Sequence, residues 1–204
     1  GYSNEGARQC CEMLWSGEIG EVKEVHAWTN RPVWPQGPQV QPKEAPVPET
    51  LDWDVWLGTA ANRPYSPAYA PFSWRAFYDF GCGALGDMAC HILGTPNMAL
   101  QLTAPTSVEC LKQDGQNDVT FPQKSVIRFE FPARRSMPAV TLTWYDGCKD
   151  VPAIDGVPAG EKLGDKDTNG SLFVGSKGLI TTGCYGERTR LIPVSKMTDY
   201  TMPA

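Results

Sequence analysis

Ser171-Leu172-Phe173-Val174-Gly175-Ser176-Lys177-Gly178-Leu179-Ile180-Thr181-Thr182 consists of two short apolar and β-branched runs held apart by a tetrapeptide with glycine at each end. Runs of this composition read as strands, and a short polar spacer carrying glycine reads as the hairpin between them. Three further segments upstream have the same character: Thr106 to Leu111, Ser125 to Phe131 and Ala139 to Tyr145. The first half of the chain reads differently, as helices and proline-rich loops. Helices followed by a run of strands predict an α+β fold, an open and largely antiparallel β-sheet with helices on one face.

Working back toward the start, Ser3 is the expected cap of a helix whose apolar positions Ala7, Cys10, Cys11, Leu14 and Trp15 keep helical spacing, and Gly17 is placed to stop it. After Gly20, an extended segment from Val22 to Asn30 puts His26, Trp28 and Asn30 on one face and Lys23, Val25, Ala27 and Thr29 on the other. Six prolines between Arg31 and Thr50 exclude helix interior and central strand there. Long irregular loops in compact domains tend to be functional. Leu51 to Gly58 reads as one or two helical turns. A second loop, Asn62 to Trp74, carries Tyr65, Tyr69, Phe72 and Trp74 among prolines. Thr95-Pro96 reads as the cap and first residue of a helix over Asn97 to Leu102.

The 204 residues, 41% hydrophobic and 20% charged, suit one globular domain spanning 1–204. No apolar stretch approaches the roughly 20 residues of a membrane span. A net charge of -5 with scattered Lys and Arg lacks the basic stripe of nucleic-acid binding, so no nucleic-acid partner is expected. Seven cysteines, an odd number at irregular positions without a C-x-x-C pair, read as free thiols. Free thiols favour the cytoplasm, and export of a longer parent protein stays open, because the chain starts at Gly1 without an initiator Met. Neither Gly81-Cys82-Gly83 nor Gly175-Ser176-Lys177-Gly178 has the spacing and strand-to-helix setting of a nucleotide-binding loop.

One pairing stands out for chemistry. In Gly83-Ala84-Leu85-Gly86-Asp87-Met88-Ala89-Cys90-His91, an acid precedes a histidine by four residues; on a helix that is a rotation of roughly 400° and a rise of about 6 Å, so both project from one face. An acid and a base within reach of one substrate atom is one reading; an ordinary surface pair is the other. Cys82 and Cys90 lie close by, but three metal ligands of proper geometry are not evident, and no metal is expected. His26, mid-strand, reads as a satisfied structural histidine. Trp28, Asn30, Arg31 and Trp34 divide between satellite core and a ligand wall, since a tryptophan face stacks on sugar C–H groups and Arg and Asn supply donors. Trp74, Arg75 and Asp79 lead into the Asp87 segment and are expected to line the same cleft.

These stretches together carry a resemblance: Gly1-Tyr2-Ser3-Asn4-Glu5-Gly6, His26-Ala27-Trp28-Thr29-Asn30-Arg31-Pro32 with Trp34-Pro35-Gln36-Gly37, Leu51-Asp52-Trp53-Asp54, Gly83 to Met88 with His91, and Gly170 to Gly178. They resemble the substrate-side, C-terminal domain of the Gfo/Idh/MocA oxidoreductases, a fold akin to the C-terminal domains of dihydrodipicolinate reductase and glyceraldehyde-phosphate dehydrogenase. The resemblance implies a fragment of a longer NAD(P)-dependent dehydrogenase. NAD or NADP would be bound mainly by an N-terminal Rossmann domain absent here, which would also carry the family's lysine, and the C-terminal end is expected to be truncated. It implies a sugar or polyol substrate, His91 as acid/base with Asp87 orienting or charging its imidazole, and a homo-oligomer formed through the sheet face. Many relatives place an acid three residues after the histidine, where this chain has Gly94. The isolated fragment is expected to be inactive. The alternatives are an NAD-dependent glycoside hydrolase of the same fold and a non-catalytic assembly or binding module.

Overall fold

The computed structural model describes residues 3–37 and 42–203; Gly1, Tyr2 and Pro38, quoted above, lie outside the described residues. Helix α1, Glu5–Trp15, is capped by Asn4, whose side chain accepts from the Gly6 N–H at 2.9 Å. The cap is thus Asn4 and not Ser3. Gly17, at φ 81°, turns the chain out of the helix toward strand β1, Val22–Trp28. There follow a short α2, Trp53–Leu57, capped by Asp52, then a 3-10 turn over Ser73–Ala76 and α3, Gly83–Ile92. Helix α4 covers Gly94–Leu100, beginning earlier than Thr95-Pro96 suggested, because Leu93 closes α3 and caps α4 at once. Pro96 is tolerated there because the first-turn N–H groups have no intrahelical partner.

The strands are β2, Ser107–Asp114, β3, Lys124–Phe131, β4, Val140–Tyr145, β5, Gly170–Gly175, β6, Leu179–Thr182, and β7, Arg190–Ile192. They form one sheet in the order β2-β3-β4-β1-β5-β6-β7. Only β1 and β4 pair in parallel; the remaining neighbours are antiparallel. The sheet therefore matches the α+β expectation, while the parallel pair and β7 are additions to it. Three residues of β7 are too few for a period-two signal to emerge from the sequence.

Register explains which face is covered. Phe129, Leu142, Val25, Phe173, Ile180 and Leu191 sit opposite one another in turn, making a single apolar row across six strands. Cys10, Cys11 and Met13 of α1 and Ala99 and Leu100 of α4 close over this row. Gly6 lets α1 approach closely, since a Cβ there would stand 2.1 Å from the Gly186 carbonyl oxygen. The opposite face carries the row Glu109, Arg128, Thr143, His26, Leu172, Thr181 and Arg190. Its β5–β7 end is roofed by Leu163, Ile154 and Val157 packed with Trp28, Leu172 and Ile192. Toward β2 the face is polar, with Arg128 paired to Glu109 and Glu130.

The proline-rich loops build a lobe of their own. Trp53 stacks on Trp56 with ring centroids 4.9 Å apart and meets the edge of Tyr65 at 5.3 Å. Tyr69 packs edge-on against Phe77 and Phe80, and Trp34 and Ala84 complete the cluster. This lobe flanks the N-terminal end of α3.

Candidate functional site

Helix α3 is fixed by its buried side. Met88 and Ile92, at helical spacing, pack with Ala27 of β1, Trp144 of β4 and Cys184. Asp87 and His91 precede them by one residue each, so both emerge partly buried along the margin of that contact. At the start of α3, a Cβ on Gly81 would lie 2.5 Å from the Arg75 carbonyl oxygen. That close passage brings the 3-10 turn, and Arg75 with it, against the helix.

Arg75 and Asp87 form the first half of the site. The Arg75 Nε donates to Asp87 Oδ1 at 3.1 Å and its Nη1 to the Phe72 carbonyl at 3.0 Å. The guanidinium lies 4.5 Å from the Trp74 ring centroid, 4.8 Å from Phe72 and 5.9 Å from Trp34. Contacts of this kind add about 0.5–1 kcal/mol each at exposed sites. The ion pair itself is about a quarter exposed on both sides, 26% and 27%, which limits its net stabilisation.

The second half lies one turn along. His91 meets the Tyr185 ring edge-on, with centroids 5.1 Å apart. Tyr185 lines a cleft of about 330 Å³ with Arg31, Met88, Asn169, Cys184 and Arg188. The Tyr185 phenol is pushed up by the adjoining Cys184 and by burial; burial raises the Cys184 thiol to about 12. The cleft floor is held by hydrogen bonds. Asn30 donates from Nδ2 to the Asp167 carbonyl at 2.6 Å, and the Thr29 hydroxyl to Asn169 Oδ1 at 2.7 Å. The Arg31 guanidinium donates to the Asn30 side-chain oxygen.

Two groups of expected residues are brought together: Trp34, Trp74, Arg75 and Asp87 on the lobe side, and Asn30 and Arg31 on the cleft side. Asp87 and His91 share the helix face that their spacing implied, yet each has a separate partner, Arg75 and Tyr185. Asp79 pairs with Arg63 in the lobe, while Asp87 pairs with Arg75. Trp28 is fully buried beneath Leu163 and Leu172, on the sheet face that α3 does not cover. Its alternation with Ala27 dictates this, because Ala27 faces α3. His26 has both ring nitrogens engaged, Nε2 with Glu24 Oε1 at 2.8 Å and Nδ1 with the Tyr145 hydroxyl at 3.0 Å. The sequence reading did not single out Tyr185, Asn169 or Arg188. Their signal lay in Asp165 to Asn169 and Gly183 to Arg188, polar turns on either side of the β5–β6 hairpin.

Among the described residues no group of three His, Cys, Asp or Glu is placed to hold a metal ion, and no helix is long and apolar enough to cross a membrane. Gly175 to Gly178 connects two antiparallel strands, and Gly81 to Gly83 follows a 3-10 turn. Neither forms a strand-to-helix phosphate cradle. The helix-flanked, largely antiparallel open sheet is an α+β architecture of the kind found in oxidoreductase C-terminal domains. A family model described as the oxidoreductase family, C-terminal alpha/beta domain, matches residues 19–183, and the chain belongs to that Gfo/Idh/MocA family. No curated protein matches the chain.

Proposed function

We propose that this domain forms the substrate wall of an NAD(P)-dependent oxidoreductase acting on a sugar, polyol or related hydroxy compound by hydride transfer. The observation that carries the reading is the position of His91, on the rim of α3 and against Tyr185, a wall of the Arg31 cleft. When bound by its own domain outside this chain, the nicotinamide supplies the acceptor or donor of the hydride. His91 takes the substrate hydroxyl proton as the carbonyl forms, or returns it in the reverse direction. Asp87, one turn before on the same helix face, anchors Arg75 and lends its negative charge to the neighbourhood of the imidazole. Trp74 flanks the approach with Arg75, Trp34 backs them from within the buried lobe cluster, and Asn30 and Arg31 offer donors to substrate oxygens. Trp28 supports the strand end from beneath. The chain as it stands, residues 1–204, is the substrate-binding and assembly domain, inactive alone, and copies pair through the polar sheet face around Arg128.

The test uses the full-length parent with NAD(H) or NADP(H) and a panel of sugars and polyols. His91→Ala is expected to lower kcat by about 10²–10⁴-fold, with His91→Gln behaving alike if folding is intact. Full turnover in both variants overturns the assignment. Release of a free sugar without net change in nicotinamide absorbance replaces it with glycoside cleavage. A parent that binds neither nicotinamide replaces it with a non-catalytic module.

A further inference from the structure

The Arg31 cleft adjoins a second cavity of about 820 Å³, and Asp165, Lys166 and Arg188 line both. Charge along this tract is unevenly committed. The acids at its walls are turned to backbone N–H groups. Asp165 accepts from Asp167 and Asn169 at 2.8 and 2.9 Å, Glu187 from Tyr185 at 2.7 Å, and Glu161 from Val194 at 3.1 Å. Only Asp150 and Asp167 remain as carboxylates at exposed positions without such a bond among the described residues.

The cations are different. Among the described residues Arg31, Lys162, Lys166, Arg188 and Arg190, the cations lining the two cavities, form no ion pair with a carboxylate. Arg190 donates to the carbonyl oxygens of Arg188 at 2.7 Å and Gly164 at 3.3 Å, and Arg31 to an amide oxygen. Burial, and then the neighbouring Arg188 charge, holds the Arg190 guanidinium below its ordinary value. Backbone geometry adds a separate observation: Arg188 and Thr168, facing the larger cavity, stand at φ 57° and 59°. Non-glycine residues held in that region are uncommon and cluster at ligand sites.

We propose that Arg31, Lys166 and Arg188 form an anion subsite that receives a carboxylate or phosphate carried by the substrate, so that the substrate is an anionic sugar derivative. Guanidinium groups match such oxyanions bidentately, and here they need not be stripped from an existing carboxylate partner first. The proposal rests on the reading above for the word substrate, and on the cleft alone for the binding.

Calorimetry on the full chain with D-glucuronate, glucose 6-phosphate, glucose and ADP tests it without any turnover. At least one of the two sugar anions is expected to bind about tenfold or more tightly than glucose, and which one does so separates carboxylate from phosphate. Arg188→Asn removes the charge while keeping a residue that tolerates positive φ, and Lys166→Gln removes the neighbouring charge. Each is expected to bring the anion-to-glucose ratio toward one. Arg135→Asn, exposed, at φ 50° and outside both cavities, is the matched control and leaves the ratio unchanged. Equal binding of glucose and both anions, or an unchanged ratio in both cleft variants, overturns the proposal. So does tighter binding of ADP, which would assign the tract to a nucleotide. A fully active His91→Ala parent would remove the hydride-transfer reading and leave these binding results standing.

Discussion

Beneath α1 and α4 the sheet core is a row of side chains on neighbouring strands, Leu142, Val25, Phe173 and Ile180, each placed by the backbone ladder. In the lobe around α2 the rings of Trp53, Tyr65, Tyr69 and Phe77 meet on loop segments joined by isolated backbone bonds, such as Ala45 N–H to the Tyr65 carbonyl at 2.9 Å. The first core repeats a geometry, and the second depends on the shape of individual rings. The difference has a functional side. The ladder holds β1 and the rim of α3, whereas the lobe holds Arg75 and the rings around it, so the two halves of the proposed site rest on supports of different cooperativity.

The two cores respond differently when each is hollowed in turn. Phe173→Ala, at a fully buried position in the middle of the row, is expected to cost about 3–5 kcal/mol and to lower the whole unfolding transition, followed by far-ultraviolet circular dichroism in urea. Trp53→Ala removes the ring that contacts Trp56, Tyr65 and Tyr69. Its expected cost is about 3 kcal/mol, and the expected signature is local. Near-ultraviolet signal from the lobe is lost at lower urea than the far-ultraviolet signal of the sheet. A single coincident transition in Trp53→Ala would show that lobe and sheet fold as one unit.

The same contrast explains what was legible in the sequence. Strands with period-two alternation announced themselves, and Leu179 to Thr182 was read with the bounds it has. The His26 and Val25 faces were also legible, because alternation alone fixes them. The lobe was legible only as aromatics among prolines: which ring touches which depends on long-range packing, so spacing could not show that Trp34 and Trp74 meet Arg75 while Asp79 turns to Arg63. Trp28 shows the limit most clearly. Its face was readable, but whether that face met ligand or core depended on Leu163, more than a hundred residues away, in a loop without periodicity. Arg188 and Tyr185 were missed for the same reason, since they follow the hairpin in a turn whose role is set by where the sheet delivers it.

Arg75 gives the smallest expected effect on stability and the sharpest view of how the two supports meet. Its side chain belongs to neither core: it lies across lobe rings and pairs with Asp87 on the helix that the sheet core positions. Arg75→Gln keeps part of the polar reach and removes the charge. The expected stability loss is about 1 kcal/mol or less, because the pair is partly solvated and the ring contacts are individually weak. The expected functional loss is larger, since Asp87 is released from the only ion pair it makes among the described residues. Thermal melting beside kcat/KM of the full-length parent separates the two. Arg75→Lys, which keeps the charge but loses the planar group that spans Phe72 and Trp74, is expected to recover stability more fully than activity. If Arg75→Gln instead destabilises the protein as much as Trp53→Ala, Arg75 is a structural member of the lobe, and the lobe side of the site contributes shape alone.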